Sequence, residues 1–171
     1  WYGRNLMKNY LFNLGRNAKK ASQYKVSSNK KNKVLKDYIY LILNNQAQII
    51  SENQKDLKKA KINKLKENLV KRLMLDKKKI FQITNTIKTI IRLKDPVDLT
   101  LKKWKRPSGL KIEKKTIPIG VISVIYESRP NVTSDVAALC FKSGNSVILK
   151  GGSESYFSNK ILTNLFKKAL K

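Results

Sequence analysis

The sequence predicts an α/β chain: N-terminal helices, a basic β-hairpin, and then the start of a parallel sheet. Three observations carry that prediction. Across residues 34–91, apolar side chains recur at spacings of three, four and seven, the period of an amphipathic helix. Across residues 99–117 the period drops to two on either side of a turn holding Pro107 and Gly109. From residue 118 onward, two short runs rich in β-branched residues each lead through a polar turn into a helical stretch, which makes one βαβα unit. The 171 residues suit about one domain. They divide into a helical part at 7–98, the hairpin at 99–117 and the βαβα unit at 118–171.

In chain order, the six residues ahead of Met7 read as sequence outside the fold, and residues 11–24 as a weakly amphipathic helix. A cap cluster of Ser27, Ser28 and Asn29 opens one long helix. Its apolar face runs through Val34, Leu35, Tyr38, Ile39, Ile42, Leu43, Ile49 and Ile50. Leu65, Leu69 and Leu73 mark a third helix. Asp76 caps a fourth that points Ile80, Ile83, Ile87, Ile90 and Ile91 inward, and Asp95 ahead of Pro96 ends it, because a residue before proline avoids the helical region. The hairpin carries Lys102, Lys103, Lys105, Lys111, Lys114 and Lys115 outward. Such a ribbon is not stable alone, so it is expected to pair with a strand further along a longer chain or in a partner subunit.

The βαβα unit follows. Residues 120–125 read as a buried parallel strand. Residues 132–142 form a helix with Val132, Val136 and Leu139 on its apolar face beside Ala137, Ala138 and Cys140, and with Asn131, Thr133 or Ser134 as N-cap. Gly144 and Asn145 close it, since the left-handed conformation suits those residues. Residues 146–149 are the second strand, and residues 154–170 the last helix, with Phe157, Ile161, Leu162, Leu165 and Phe166 on one face. Two parallel strands are too few for a doubly wound sheet, so the unit reads as the beginning of a larger one.

Composition narrows the function classes. No apolar run reaches the roughly 18 residues of a membrane span, and the first residues lack a secretory signal pattern. One cysteine rules out an internal disulfide, and zero histidines leave no zinc site in prospect. A reducing cytoplasm is the expected setting. The formal net charge of +27 suggests a binder of nucleic acid or another anionic surface. Against that, 32 of the 38 basic residues are lysine, and they are spread along a chain also crowded with Asn and Ile. Arginine is the residue that makes bidentate phosphate and base contacts. The charge therefore reads as compositional bias, with a basic nucleic-acid- or anion-binding protein kept as the alternative.

Two turns could carry chemistry. Lys150, Gly151, Gly152 and Ser153 follow a strand and open a helix, where glycines permit close approach and free amides favour phosphate. The run matches neither GxGxxG nor the P-loop, and taken alone it reads as plain turn chemistry sooner than as a phosphate site. In the turn after the first strand, Asn131 either caps the helix or aims its amide into a cleft to support an oxyanion. Arg129 either binds a phosphate or carboxylate or pairs with Glu127. Cys140 lies mid-helix among apolar neighbours with no histidine to activate it, and reads as structural.

The motifs YESRPNVT (126–133), KSGN (142–145) and KGGSE (150–154), in register, resemble the γ-glutamyl phosphate reductases, also called glutamate-5-semialdehyde dehydrogenases, of the aldehyde dehydrogenase superfamily. Upstream landmarks agree: NLGRNAKKAS, NQAQIISENQKDLKKA, KRLMLDKKKI, LKDPV and WKRPSGLKIEKKTIPIG. The resemblance covers about residues 11–171. It implies an aldehyde dehydrogenase-like, Rossmann-like fold and the NADPH-dependent reduction of L-glutamyl 5-phosphate to L-glutamate 5-semialdehyde and phosphate, in proline biosynthesis. In that chemistry a cysteine thiolate displaces the phosphate and hydride reduces the thioester.

Carried onto this chain, the resemblance makes residues 7–98 and 118–171 parts of an NADP-binding domain. Lys150 would hold the cofactor's adenosine ribose, with Gly151, Gly152, Ser153 and Ser128 beside it. Ser153 stands where NAD-preferring relatives tend to carry a glutamate that would repel a 2′-phosphate, which favours NADP(H). Asn131 matches the oxyanion asparagine, and Arg129 is a candidate for the substrate's phosphate or carboxylate. No metal is implied. The hairpin at 99–117 would serve a homo-oligomer, and glutamate 5-kinase is an implied associate. The nucleophilic cysteine lies downstream in the family and Cys140 does not match it, so this N-terminal portion is expected to be inactive by itself.

Overall fold

The computed structural model describes the backbone of residues 2–171 and the side chains of residues 7–171. The order is α1 (Tyr2–Ala21), α2 (Ser28–Asn44), α3 (Gln46–Ile62), α4 (Glu67–Leu73), α5 (Lys77–Arg92), β1 (Thr100–Lys105), β2 (Lys111–Lys115), β3 (Val121–Tyr126), α6 (Pro130–Lys142), β4 (Ser146–Gly151), a 3₁₀ turn (Ser153–Ser155) and α7 (Tyr156–Ala169). The α/β prediction holds, and so does the element sequence apart from one expected helix that is divided in two. Helix α1 begins earlier than expected, taking in Tyr2 to Leu6, while Trp1 lies outside the described residues.

Local signals open the helices as predicted. Ser27 Oγ accepts from the Lys30 N–H at 3.4 Å, and Asp76 Oδ1 accepts from the Lys79 N–H at 2.7 Å. The long helix of the sequence reading is two helices, interrupted at Asn45 (φ −111°, ψ 21°). Asn45 turns its amide back onto the Leu41 carbonyl at 2.7 Å, the competition with backbone that lowers helix propensity for asparagine. The Leu65-Leu69-Leu73 pattern yields only the short α4, in which Leu73 alone is fully buried.

The core lies among helices. Val34, Leu35, Tyr38, Ile39 and Ile42 of α2 pack with Ile49 of α3, Ile80, Ile83, Ile87 and Ile90 of α5, Ala138 of α6, and Ile161, Leu162 and Leu165 of α7. Tyr38, fully buried, joins three helices: its hydroxyl lies 2.7 Å from Ser134 Oγ and donates to the Leu162 carbonyl at 3.2 Å. Two buried lysines are matched in the same way. Lys31 pairs with Asp95 at 3.0 Å, and Lys142 donates to Asn32 Oδ1 at 2.6 Å and the Ile91 carbonyl at 3.1 Å.

Helix α6 departs from the prediction at both its cap and its face. It starts at Pro130, in the first helical position, where the missing N–H costs nothing and the fixed φ is already helical. Arg129 is the N-cap, without a side-chain bond, so none of Asn131, Thr133 or Ser134 serves. The buried stripe is made of small residues, Thr133, Ser134, Ala137, Ala138 and Cys140, while Leu139 faces out. The C-terminus closes as predicted: Gly144 has φ +73°, its N–H reaches the Phe141 carbonyl, and the Asn145 N–H reaches that of Cys140.

β3 and β4 are parallel, with Ile125 opposite Lys150 and Tyr126 opposite Gly151. β3 is not the buried strand expected. It alternates, with Ser123 and Ile125 outward and Ile125 75% exposed, because only one face of this two-stranded sheet is covered. β1 and β2 form a separate antiparallel ribbon, turned at Gly109 (φ +86°), with Lys103 opposite Glu113 and paired to it at 2.6 Å. All of the ribbon strands' residues are exposed except Ile112. Thr116 ties the ribbon's base, its hydroxyl accepting from the Leu99 N–H and donating to the Pro96 carbonyl.

Candidate functional site

The parallel register sets the turn after β3 beside the turn after β4, at the carboxyl ends of both strands, the usual ligand position of an open α/β sheet. One side chain joins them. Glu154 Oε1 accepts from the Ser128 N–H at 2.6 Å and from the Ser128 hydroxyl at 3.1 Å. Ser128 is buried and left-handed (φ +46°), a conformation costing a non-glycine residue roughly 1–2 kcal/mol, and these two bonds offset it. Burial opposes ionisation of Glu154. Its own N–H, the Ser128 donors and the nearby Lys150 charge outweigh burial and hold its carboxyl below the usual range.

The glycines are explained from inside. A Cβ at Gly152 would collide with the Glu154 carboxylate. One at Gly151 would collide with the Asn159 amide and come within 3.3 Å of Tyr126. Asn159 is itself fixed, accepting from Thr133 Oγ1 at 2.9 Å and donating to Ser155 Oγ at 2.9 Å, while the Tyr126 hydroxyl lies 2.6 Å from Thr133 Oγ1. The amides at the start of the last helix are also engaged. Asp56, reaching from α3, accepts from the Phe157 N–H at 3.1 Å, the Ser158 N–H at 2.8 Å and the Ser158 hydroxyl at 2.7 Å. The Phe157 and Ser158 amides are therefore not open to a phosphate. What the turn offers outward is Lys150 and Ser153, both exposed.

The remaining predicted residues divide. Ser128, Gly151, Gly152 and Ser153 come together with Lys150 around the Glu154 bridge. Arg129 is exposed and forms no ion pair with Glu127 among the described residues. Asn131 faces elsewhere: its Nδ2 donates to Asp135 Oδ2 at 3.1 Å, and it lines a polar cavity of about 290 Å³ between α5 and α6. Cys140 is buried and burial pushes its thiol upward, the reverse of an activated nucleophile. A larger cavity, about 650 Å³ and mostly apolar, lies between α1, β4 and α7 and is lined by none of the predicted site residues. Sequence reasoning missed Glu154 as a bridge, Asp56 as a cap, and Asp135. Only Glu154 carried a local signal, its place directly after the predicted turn.

No protein-family model matches the chain. Over 141 residues, 82% of its length, it is 49% identical to a γ-glutamyl phosphate reductase of Nautilia profundicola. The crystal structure of γ-glutamyl phosphate reductase from Thermotoga maritima superposes on 91% of it with a TM-score of 0.86 and 38% identity. The chain belongs to the γ-glutamyl phosphate reductase family. It spans 34% of the Nautilia profundicola protein and 37% of the Thermotoga maritima chain. A putative aldehyde dehydrogenase from Bacillus subtilis, 20% identical, shares the fold at a TM-score of 0.63 over 90% of the chain. The aldehyde dehydrogenase-type fold expected from the motifs is therefore present. Among the described residues, no helix is long and apolar enough to cross a membrane and no group of acidic, cysteine or histidine side chains is arranged to hold a metal.

Proposed function

We propose that this chain is part of an NADP-dependent reductase that converts L-glutamyl 5-phosphate into L-glutamate 5-semialdehyde and phosphate in the cytoplasm. The observation that carries the reading is the pair of coupled strand-end turns, with Lys150 and Ser153 exposed at the position where a relative of this family would present its cofactor contacts. When bound, the nicotinamide cofactor supplies the hydride. This chain's residues hold its adenosine end. The Lys150 ammonium would bond the ribose, and the Ser153 hydroxyl would donate to a 2′-phosphate. Glu154, the nearest carboxylate in sequence, is engaged with Ser128, which supports preference for the phosphorylated cofactor. Asn131 retains one amide hydrogen for an acyl oxygen, and Arg129 remains available to the substrate's phosphate. The exposed ribbon, with two unpaired edges, supports assembly of a homo-oligomer through residues 99–117.

The test is a titration of the purified chain with NADPH and NADH at about physiological and several-fold higher salt, with Lys150→Ala alongside. Binding that survives salt, prefers NADPH and weakens about tenfold in Lys150→Ala is expected from one lost charge-assisted contact. Equal binding of both nucleotides that collapses with salt would refute the defined site and favour the general anion-binding reading of the +27 charge.

A further inference from the structure

The polar cavity between α5 and α6 holds an unbalanced set of charges. Asp135 Oδ1 is buried and has no hydrogen-bond partner, the one side-chain polar atom so stranded among the described residues. Its other oxygen receives only the Asn131 amide. The cavity contains two cations, yet neither comes within ion-pair distance of Asp135. Lys79 spends its ammonium on the Lys71 and Met74 carbonyls, both at 2.7 Å. Arg72, exposed, forms no hydrogen bond or ion pair among the described residues. Thr86 and Gln82 complete the polar wall. One opening thus presents a carboxylate lacking a cation and a guanidinium lacking an anion.

We propose that this cavity recognises the zwitterionic head of an α-amino acid, with Asp135 taking the ammonium and Arg72 the carboxylate. Other ligand classes fit poorly. A lone phosphate would be repelled by the buried carboxylate, a simple cation by Arg72 and Lys79, and a neutral sugar would supply donors to Asp135 but no charge to balance either Asp135 or Arg72. The proposal rests on the reading that the substrate is a glutamyl compound. The Asn131 amide and the Asp135 carboxylate touch at 3.1 Å, so a ligand whose ammonium meets the free Asp135 oxygen lies beside the remaining Asn131 amide hydrogen. Burial also keeps the empty Asp135 carboxyl above its ordinary value, so an arriving ammonium has a titration to shift.

The probe is L-glutamate, titrated into the purified chain beside glutarate, which lacks the ammonium, and 4-aminobutyrate, which lacks the α-carboxylate. Backbone and carboxyl NMR shifts of Asn131 and Asp135 report binding. L-glutamate is expected to shift both and to lower the Asp135 pKa, and each analogue to bind at least about tenfold more weakly, the worth of one lost charged contact. Asp135→Asn and Arg72→Ala should each cost a similar factor, and Arg72→Ala, at an exposed position, should leave the fold intact. Absence of shifts at α5 and α6 with L-glutamate, equal binding of glutarate, or an unaffected Arg72→Ala would overturn the proposal. NADPH binding without L-glutamate binding refutes this cavity alone. L-glutamate binding without NADPH binding refutes the cofactor site alone.

Discussion

Replacing Asp56 by alanine should cost about 3 kcal/mol of folding stability, because one α3 carboxylate holds the start of α7. Asp56 and Ser158 are both fully buried, and their partnership spans 102 residues of chain. Three donors point at this carboxylate, at 3.1, 2.8 and 2.7 Å. Loss of a charge-assisted bond costs about 1.5–3 kcal/mol, and here two backbone N–H groups lose their acceptor. Relief from burying a carboxylate with no ion-pair partner returns part of that. The Ser158 hydroxyl keeps one partner, since it also accepts from Asn53 at 3.0 Å. Urea unfolding followed by circular dichroism reads the difference. With a slope of about 1.5–3 kcal/mol per molar, the midpoint should fall by roughly 1–2 M at unchanged slope. Asp56→Asn should fall between the two, since it keeps one acceptor and turns an amide NH₂ against the other donor. Hydrogen exchange should quicken first at Phe157 and Ser158. A midpoint shift below about 0.3 M for Asp56→Ala would mean that this cap is not what fixes α7.

Two further perturbations follow from the fold. Lys31 holds the Asp95 carboxyl below its ordinary 3.8 against the opposing effect of burial. Folding therefore favours the ionised form: the contribution is complete above pH about 4 and is lost as pH falls through the depressed native value. Asp95→Asn should accordingly lower stability at neutral pH and flatten the acid limb of a stability-versus-pH curve, and an unchanged acid limb would assign acid unfolding to other carboxylates. At Gly144, φ is +73° and an added Cβ would lie 3.1 Å from Pro118 and 3.2 Å from Val97. Gly144→Ala should destabilise by about 2 kcal/mol in thermal or urea unfolding, most of it from the left-handed backbone. A neutral result would show that the turn relaxes to negative φ.

What the sequence determined by itself was whatever acts within a few residues. The isoleucine faces of α2 and α5 follow from the helical period, the Ser27 and Asp76 caps from hydroxyl or carboxylate three residues ahead of a free N–H, and the end of α6 from Gly144. The order of strands and helices around KSGN and KGGSE was readable for the same reason, and the motifs carried the family. The tertiary structure decided the rest. Pro130 rather than Asn131 opens α6, since only the path from β3 fixes where helical dihedrals begin. Ile125 lies open because burial depends on what covers the second face of the sheet. Glu154 turned inward to Ser128, Asp56 to α7, and Asp135 to a cavity shared with α5. A carboxylate in sequence shows its charge and its reach. Which donors meet Glu154 and Asp56 depends on chain 26 to 102 residues away, and folding alone brings them there.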